Sequence, residues 1–165
     1  MSSLLQTAIE LAVRAHRNGE DPPGEPYIIH PLRVLMSVSQ ADDSHQNEEL
    51  RVVAVLHDVL ERGKMTEARL RAAGIPPRLV RAVRLLTHRK NVSYADYVIR
   101  LKPDPLARAV KIADLLDNAD LRRVTFRAGK SKKDSRRVVR YAASYEFLTD
   151  EMTKAEYRKA MRRGE

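Results

Sequence analysis

Leu4-Leu5-Gln6-Thr7-Ala8-Ile9-Glu10-Leu11-Ala12-Val13-Arg14-Ala15 repeats its apolar residues every three or four positions, the spacing of a helix that buries one face. The same spacing recurs along most of the chain, and no segment alternates in the two-residue period of a strand. The sequence therefore reads as all-α, a compact irregular helical bundle. Helices are expected near 3–17, 31–40, 47–61, 66–73, 77–88, 94–102, 104–121 and 135–162. Breaks fall at Asn18 to Gly24, Ala41 to Gln46, Arg62 to Lys64, Gly74 to Pro77, Lys90 to Ser93 and Phe126 to Asp134, where turn-forming residues gather. Thr66, Ser93 and Asp104-Pro105 mark helix starts, the last joining a capping carboxylate to a proline at the first helical position.

Outward from this pattern, 165 residues that are 43% hydrophobic suffice for one domain with a real core, read here as a single domain over 1–165. No apolar run approaches the ~18 residues that span a bilayer, and no charged start precedes an apolar stretch and cleavage site. The expectation is no membrane association and a cytoplasmic location. Cysteine is absent, which removes disulfides, thiolate ligands and cysteine nucleophiles together. A net charge of +9 suits an anionic partner, whether nucleic acid, an anionic surface or a small phosphate-rich ligand.

His30, the His57-Asp58 pair and Asp114 are the residues with the most chemical content. His30 closes Pro26-Tyr27-Ile28-Ile29-His30-Pro31, His57-Asp58 follows Val52-Val53-Ala54-Val55-Leu56, and Asp114 lies within Val110-Lys111-Ile112-Ala113-Asp114-Leu115. Ionisable groups on apolar helix faces need partners, because burying an unpaired charge is very costly. Two imidazoles and two carboxylates supply mixed nitrogen and oxygen ligation, which suits Mn, Fe, Zn, Co or Ni better than Ca or Mg, and point to a hydrolase. Helical spacing sets Glu61 one turn from His57, Arg62 one turn from Asp58, and Lys111 and Asn118 one turn to either side of Asp114. Each has an ordinary reading too: Glu61 as a solvated acid, Asp58 with Arg62 as a helical ion pair, Lys111 as a snorkelling cation and Asn118 as a surface amide. His16, His45 and His88 read as ordinary surface or core histidines.

Gly24-Glu25-Pro26-Tyr27-Ile28-Ile29-His30-Pro31, Leu56-His57-Asp58-Val59-Leu60-Glu61 and Lys111-Ile112-Ala113-Asp114 to Asn118 resemble the HD-domain metal-dependent phosphohydrolases. More narrowly they resemble the alarmone hydrolase branch, the Rel/SpoT hydrolase domain and the small stand-alone hydrolases. The resemblance spans roughly residues 4 to 150. It implies an all-helical fold, one Mn2+ on His30, His57, Asp58 and Asp114, and removal of pyrophosphate from the 3′ position of guanosine tetra- or pentaphosphate. It also implies that Glu61 orients or deprotonates water, that Asn118 faces substrate, and that Arg137 and Tyr141 contact the nucleotide. Where the family has a second acid this chain has Arg62, which is assigned a phosphate-holding role together with Lys111 and Arg137. Asp21 stands where a base-contacting cation is usual, which predicts slower or less guanine-selective hydrolysis, and Leu115 replaces a residue that is often polar.

The first rival is an HD phosphohydrolase acting on a nucleoside monophosphate, an adenosine alarmone or the 2′-phosphate of NADPH. The second is non-enzymatic: Arg122, Arg123, Arg127, Lys130, Lys132, Lys133, Arg136, Arg137 and Arg140 form a cationic cluster suited to nucleic-acid phosphates. Against it stand the lack of a recognisable nucleic-acid module and the scarcity of aromatics for stacking. A small phosphorylated nucleotide is the preferred partner, and no heptad array indicates an oligomeric state.

Overall fold

The computed structural model describes residues 3–21, 24–39, 45–61, 65–120 and 131–163. Their regular structure is helical: α1 (Leu4–Ala15), α2 (Ile29–Val38), α3 (His45–Leu56), α4 (Glu67–Ala72), α5 (Pro77–Leu86), α6 (Tyr94–Leu101), α7 (Pro105–Asn118), α8 (Ser131–Leu148) and α9 (Lys154–Arg163). Apart from these, an isolated bridge joins Glu20 to Pro26. Ser3, Thr66, Ser93 and Asp104 cap the helices that follow them, each accepting from a backbone amide three residues on. Gly74, with φ +86°, ends α4 by letting the Ile75 amide reach the Leu70 carbonyl at 3.1 Å, a left-handed closure that favours glycine.

α3 is the central element, packed against α1, α2, α5 and α7. Val52, Val53, Ala54, Val55 and Leu56 are all fully buried, so its last turns are apolar all round rather than on one stripe. Placing that helix in the middle carries the residues after it, His57 and Asp58, into the interior.

Two expected helices end differently. The helix expected over 47–61 stops at Leu56, and the chain goes on in tighter turns, with the amides of Val59 and Glu61 bonding to Leu56 and Asp58 at 3.1 and 3.2 Å. The His57 ring is the cause: its Nδ1 takes the Ala54 carbonyl at 2.8 Å, the acceptor that the next helical amide would need. The single helix expected over 135–162 is instead two. Asp150, at φ +66°, closes α8, with the Glu151 amide on the Glu146 carbonyl at 2.9 Å. Lys102 and Arg108 donate to the terminal carbonyls of Phe147 and Leu148 at 2.5 and 2.6 Å. Thr153 and Glu156 then open α9 with reciprocal bonds of 2.9 and 3.3 Å, a capping box. The stacked rings of Phe147 and Tyr157, 4.6 Å apart, and the 2.9 Å bond between Ser144 and the Tyr157 hydroxyl lock the two helices together.

Candidate functional site

Tyr27 and α2, the turn after α3, the start of α6, α7 and α8 converge on a cavity of about 140 Å³. His30 enters it from the first turn of α2, His57 and Asp58 from the turn, and Asp114 from the middle of α7. His30, His57 and Asp114 are buried, and together they form a group able to hold a metal ion. The His30 Nε2 atom lies 3.2 Å from His57 Nε2 and 3.2 Å from Asp114 Oδ1, and His57 Nε2 lies 3.7 Å from the same oxygen. Asp58 Oδ2 is 3.5 Å from His57 Nε2 and 3.9 Å from His30 Nε2. Atoms sharing one ion at 2.0–2.2 Å sit about 3 to 3.5 Å apart, so the set needs little closure to meet an ion.

The ring protons are settled by partners that only accept. His30 Nδ1 faces Asp117 Oδ2 at 2.7 Å and His57 Nδ1 faces the Ala54 carbonyl at 2.8 Å, which puts the proton on each Nδ1 and turns both Nε2 lone pairs to the centre. A cation then belongs between the two Nε2 atoms, either a metal ion or, without one, the proton that His30 carries at neutral pH. Burial alone would lower the His30 imidazole, but hydrogen bonds to Asp114 and Asp117 and the charges of Asp114 and Asp58 raise it to about 9, the mark of a centre built for positive charge. The donor set thus fits a divalent ion.

A second tier fixes the ligands. Tyr27 donates its hydroxyl to Asp58 in a short bond. Asp117 receives Arg33 Nε at 2.6 Å and Nη2 at 3.2 Å, a bidentate contact that orients the carboxylate on His30. Lys111, buried, donates to Asp114 Oδ2 at 2.7 Å, and Asn118 Nδ2 to Asp114 Oδ1 at 2.5 Å. Burial favours the uncharged forms of both Lys111 and Asp114, but their mutual attraction wins, holding the ammonium well above and the carboxyl well below their usual ranges.

Of the residues singled out in the sequence, Glu61, Lys111, Asn118, Arg137 and Tyr141 all line this cavity. Lys111 is a buried partner of Asp114 rather than a snorkelling cation, and Asn118 spends its amide on that carboxylate. Glu61 is exposed and follows the turn instead of sharing a helix face with His57, with its Oε2 accepting the His88 amide at 2.9 Å. Arg137 donates to the Tyr141 hydroxyl at 3.1 and 3.2 Å. Arg62 lies outside the described residues.

Asp21 belongs to the turn before Tyr27. It does not line the cavity; it is buried, and its Oδ1 accepts the Glu25 amide at 3.0 Å, closing the turn ahead of Tyr27. His88 also departs from its ordinary reading, since it lines the cavity with its ring against Tyr94 and Tyr97. Tyr27, Tyr94, Tyr97 and Asp117 were not singled out. Asp117 and Tyr27 carry a signal, standing three residues from Asp114 and from His30; the others carry none, because only packing brings α6 here. Of the basic cluster, Arg137 lines the cavity and Arg140 lies over the Tyr94 ring, 5.2 Å from its centroid. Arg122, Arg123, Arg127 and Lys130 lie outside the described residues.

No protein-family model matches the chain. It is 33% identical over 136 residues to a guanosine-3′,5′-bis(diphosphate) 3′-pyrophosphohydrolase of Aquifex aeolicus (strain VF5), an alignment covering 78% of this chain. The chain spans only 19% of that relative's length. Its fold matches a solved structure described as a metazoan ortholog of SpoT that hydrolyzes ppGpp and plays a role in starvation responses. The TM-score is 0.62 at 22% identity, over 99% of this chain and 94% of that one. Among the described residues no helix is long and apolar enough to cross a membrane.

Proposed function

We propose that this chain, a homologue of a guanosine-3′,5′-bis(diphosphate) 3′-pyrophosphohydrolase with a SpoT-like helical fold, hydrolyses the 3′-pyrophosphate of guanosine tetra- or pentaphosphate with one divalent metal ion. The observation that carries the reading is the meeting of two Nε2 atoms with Asp114 Oδ1 and Asp58 Oδ2, at 3.2–3.9 Å, on the floor of a cavity lined by Lys111 and Arg137. His30, His57, Asp58 and Asp114 would hold the ion, for which Mn2+ suits the mixed donor set. When bound, such an ion acidifies water and offsets charge on phosphoryl oxygens.

The chain's own residues do the rest. Glu61 keeps one carboxylate oxygen on the His88 amide, leaving the other to orient an incoming water and take its proton. Asn118 and Lys111 prevent Asp114 from turning away, and Tyr27 does the same for Asp58. Arg137 and Tyr141 meet the nucleotide and its phosphates, and Arg62, next to Glu61, is assigned to phosphate as well. Phosphoryl transfer depends mainly on such positioning and charge stabilisation. In this reading residues 1–165 form one hydrolase domain acting in the cytoplasm on a small nucleotide. Nucleic acid is disfavoured because Arg137 and Arg140 pack inward on tyrosines.

The test is to incubate the purified protein with Mn2+ and a panel of guanosine and adenosine 3′-pyrophosphates, nucleoside monophosphates and NADPH, resolving products by chromatography. Pyrophosphate release from guanosine tetraphosphate is expected. Turnover of monophosphates or NADPH alone would move the assignment to another phosphohydrolase, and no turnover with RNA binding would move it to the cationic cluster.

A further inference from the structure

Four tyrosines line the cavity: Tyr27, Tyr94, Tyr97 and Tyr141. Three have their hydroxyls engaged within the protein. Tyr27 donates to Asp58, Tyr97 donates to the Leu86 carbonyl at 2.6 Å, and Tyr141 accepts from Arg137. Tyr94 differs. Its hydroxyl is buried and has no acceptor for its proton among the described residues, the Lys111 ammonium beside it being able only to donate to the phenol oxygen. A buried hydroxyl proton without an acceptor is costly to the folded chain, and phenylalanine would pack the same ring without that cost.

The ring is held where an anion is wanted. Lys111 Nζ and Arg140 Cζ lie 5.7 and 5.2 Å from its centroid. The rings of His88 and Tyr97 meet it at 5.8 and 5.7 Å, steeply inclined to it, so its orientation is fixed before any ligand arrives. The cavity that it lines also holds the His30, His57, Asp58 and Asp114 cluster.

We propose that the Tyr94 hydroxyl is a substrate-contacting group that donates a hydrogen bond to a phosphoryl oxygen of the pyrophosphate being removed. The inference rests on the pyrophosphohydrolase reading and adds a donor to it. Burial pushes the phenol up against the opposing pull of Lys111, which keeps it an O–H donor at neutral pH. No bond is made or broken at Tyr94; it orients the phosphate beside the ligand cluster while Glu61 handles the water proton.

The experiment compares wild type with Tyr94→Phe, both loaded with Mn2+. Because the hydroxyl proton has no internal acceptor to lose, and Lys111 keeps Asp114 as its partner, the metal-free variant is expected to melt close to wild type. Its kcat/KM on guanosine tetraphosphate is expected to fall about tenfold to a hundredfold, the size of one hydrogen bond to a charged oxygen. A variant that melts several degrees lower, or that keeps full kcat/KM, overturns the inference. Should wild type turn over no member of the nucleotide panel, the pyrophosphohydrolase reading fails separately. Inorganic pyrophosphate then decides the point: stronger thermal stabilisation of wild type than of Tyr94→Phe supports the contact, and equal or absent stabilisation overturns it.

Discussion

Asp114 and Asp150 are each held by a lysine at 2.7 Å, Lys111 in one case and Lys102 in the other, yet the two pairs serve different ends. The Asp114 side chain is 8% exposed and the Asp150 side chain 62%. At Asp150 water can replace either partner, and Lys102 and Arg108 also tie down the end of α8 through its carbonyls. At Asp114 water has little access, Asn118 supplies the one further donor that is not a candidate ligand, and the oxygen it reaches also faces both imidazoles. The same contact is therefore a peripheral brace in one place and part of a poised centre in the other. Burial, not pairing, makes the difference.

Four substitutions break or sharpen that contrast. The largest effect is expected from Asp114→Ala, which leaves Lys111 buried and unpaired. A loss of about 3–5 kcal/mol in denaturant unfolding is anticipated, together with loss of metal in elemental analysis and of hydrolysis. Metal occupancy equal to wild type would remove Asp114 from the ligand set. Next is Glu61→Gln, which preserves shape but not charge. Hydrolysis should fall about 100-fold to 10,000-fold with metal content intact, and activity within about threefold of wild type would reduce Glu61 to an ordinary surface acid.

Asp117→Asn sits between the extremes. It keeps a hydrogen-bond acceptor for His30 but loses the charge that Arg33 braces, and metal affinity by titration calorimetry should weaken about 10-fold to 100-fold. Unchanged affinity would mean that α2 alone orients His30. Asp150→Ala should do least, lowering Tm by a few degrees at most and less at high salt, with metal binding and kcat untouched. Hydrogen bonds from Lys102 and Arg108 hold the Asp150 carboxyl below its usual range. Its small contribution is thus present above about pH 4 and fades as pH falls through the lower folded value. A Tm difference that instead grew toward alkaline pH would contradict this account.

Much of this was legible in the chain. Apolar spacing placed the helices, and the caps at Thr66, Ser93 and Asp104 are local bonds that residue identity alone announces. Thr153-Lys154-Ala155-Glu156 carries the same kind of signal, a capping box inside what reads as one long helix. It was obscured because the preceding stop uses Asp150 in the left-handed conformation where a glycine would have been conspicuous. The aromatic wall of the cavity was not legible. His88, Tyr94 and Tyr97 are ordinary core-forming types, and nothing within α6 or the segment before it says which cavity they will line.

What the sequence determined by itself is what short-range chemistry decides: an all-helical chain, its punctuation, and two imidazoles and two carboxylates that need a partner once buried. What only the tertiary structure decided is how those groups meet. His30 and Asp117 lie far apart in the chain yet bond at 2.7 Å, and Glu61 reaches the His88 amide across the fold. Asp21 withdraws into its own turn, while the Tyr94 hydroxyl is left buried beside Lys111 with no acceptor for its proton among the described residues. These outcomes depend on the packing of α2, α3, α6 and α7 around a shared core. Such contacts are long-range, summing over many residues that no local window contains.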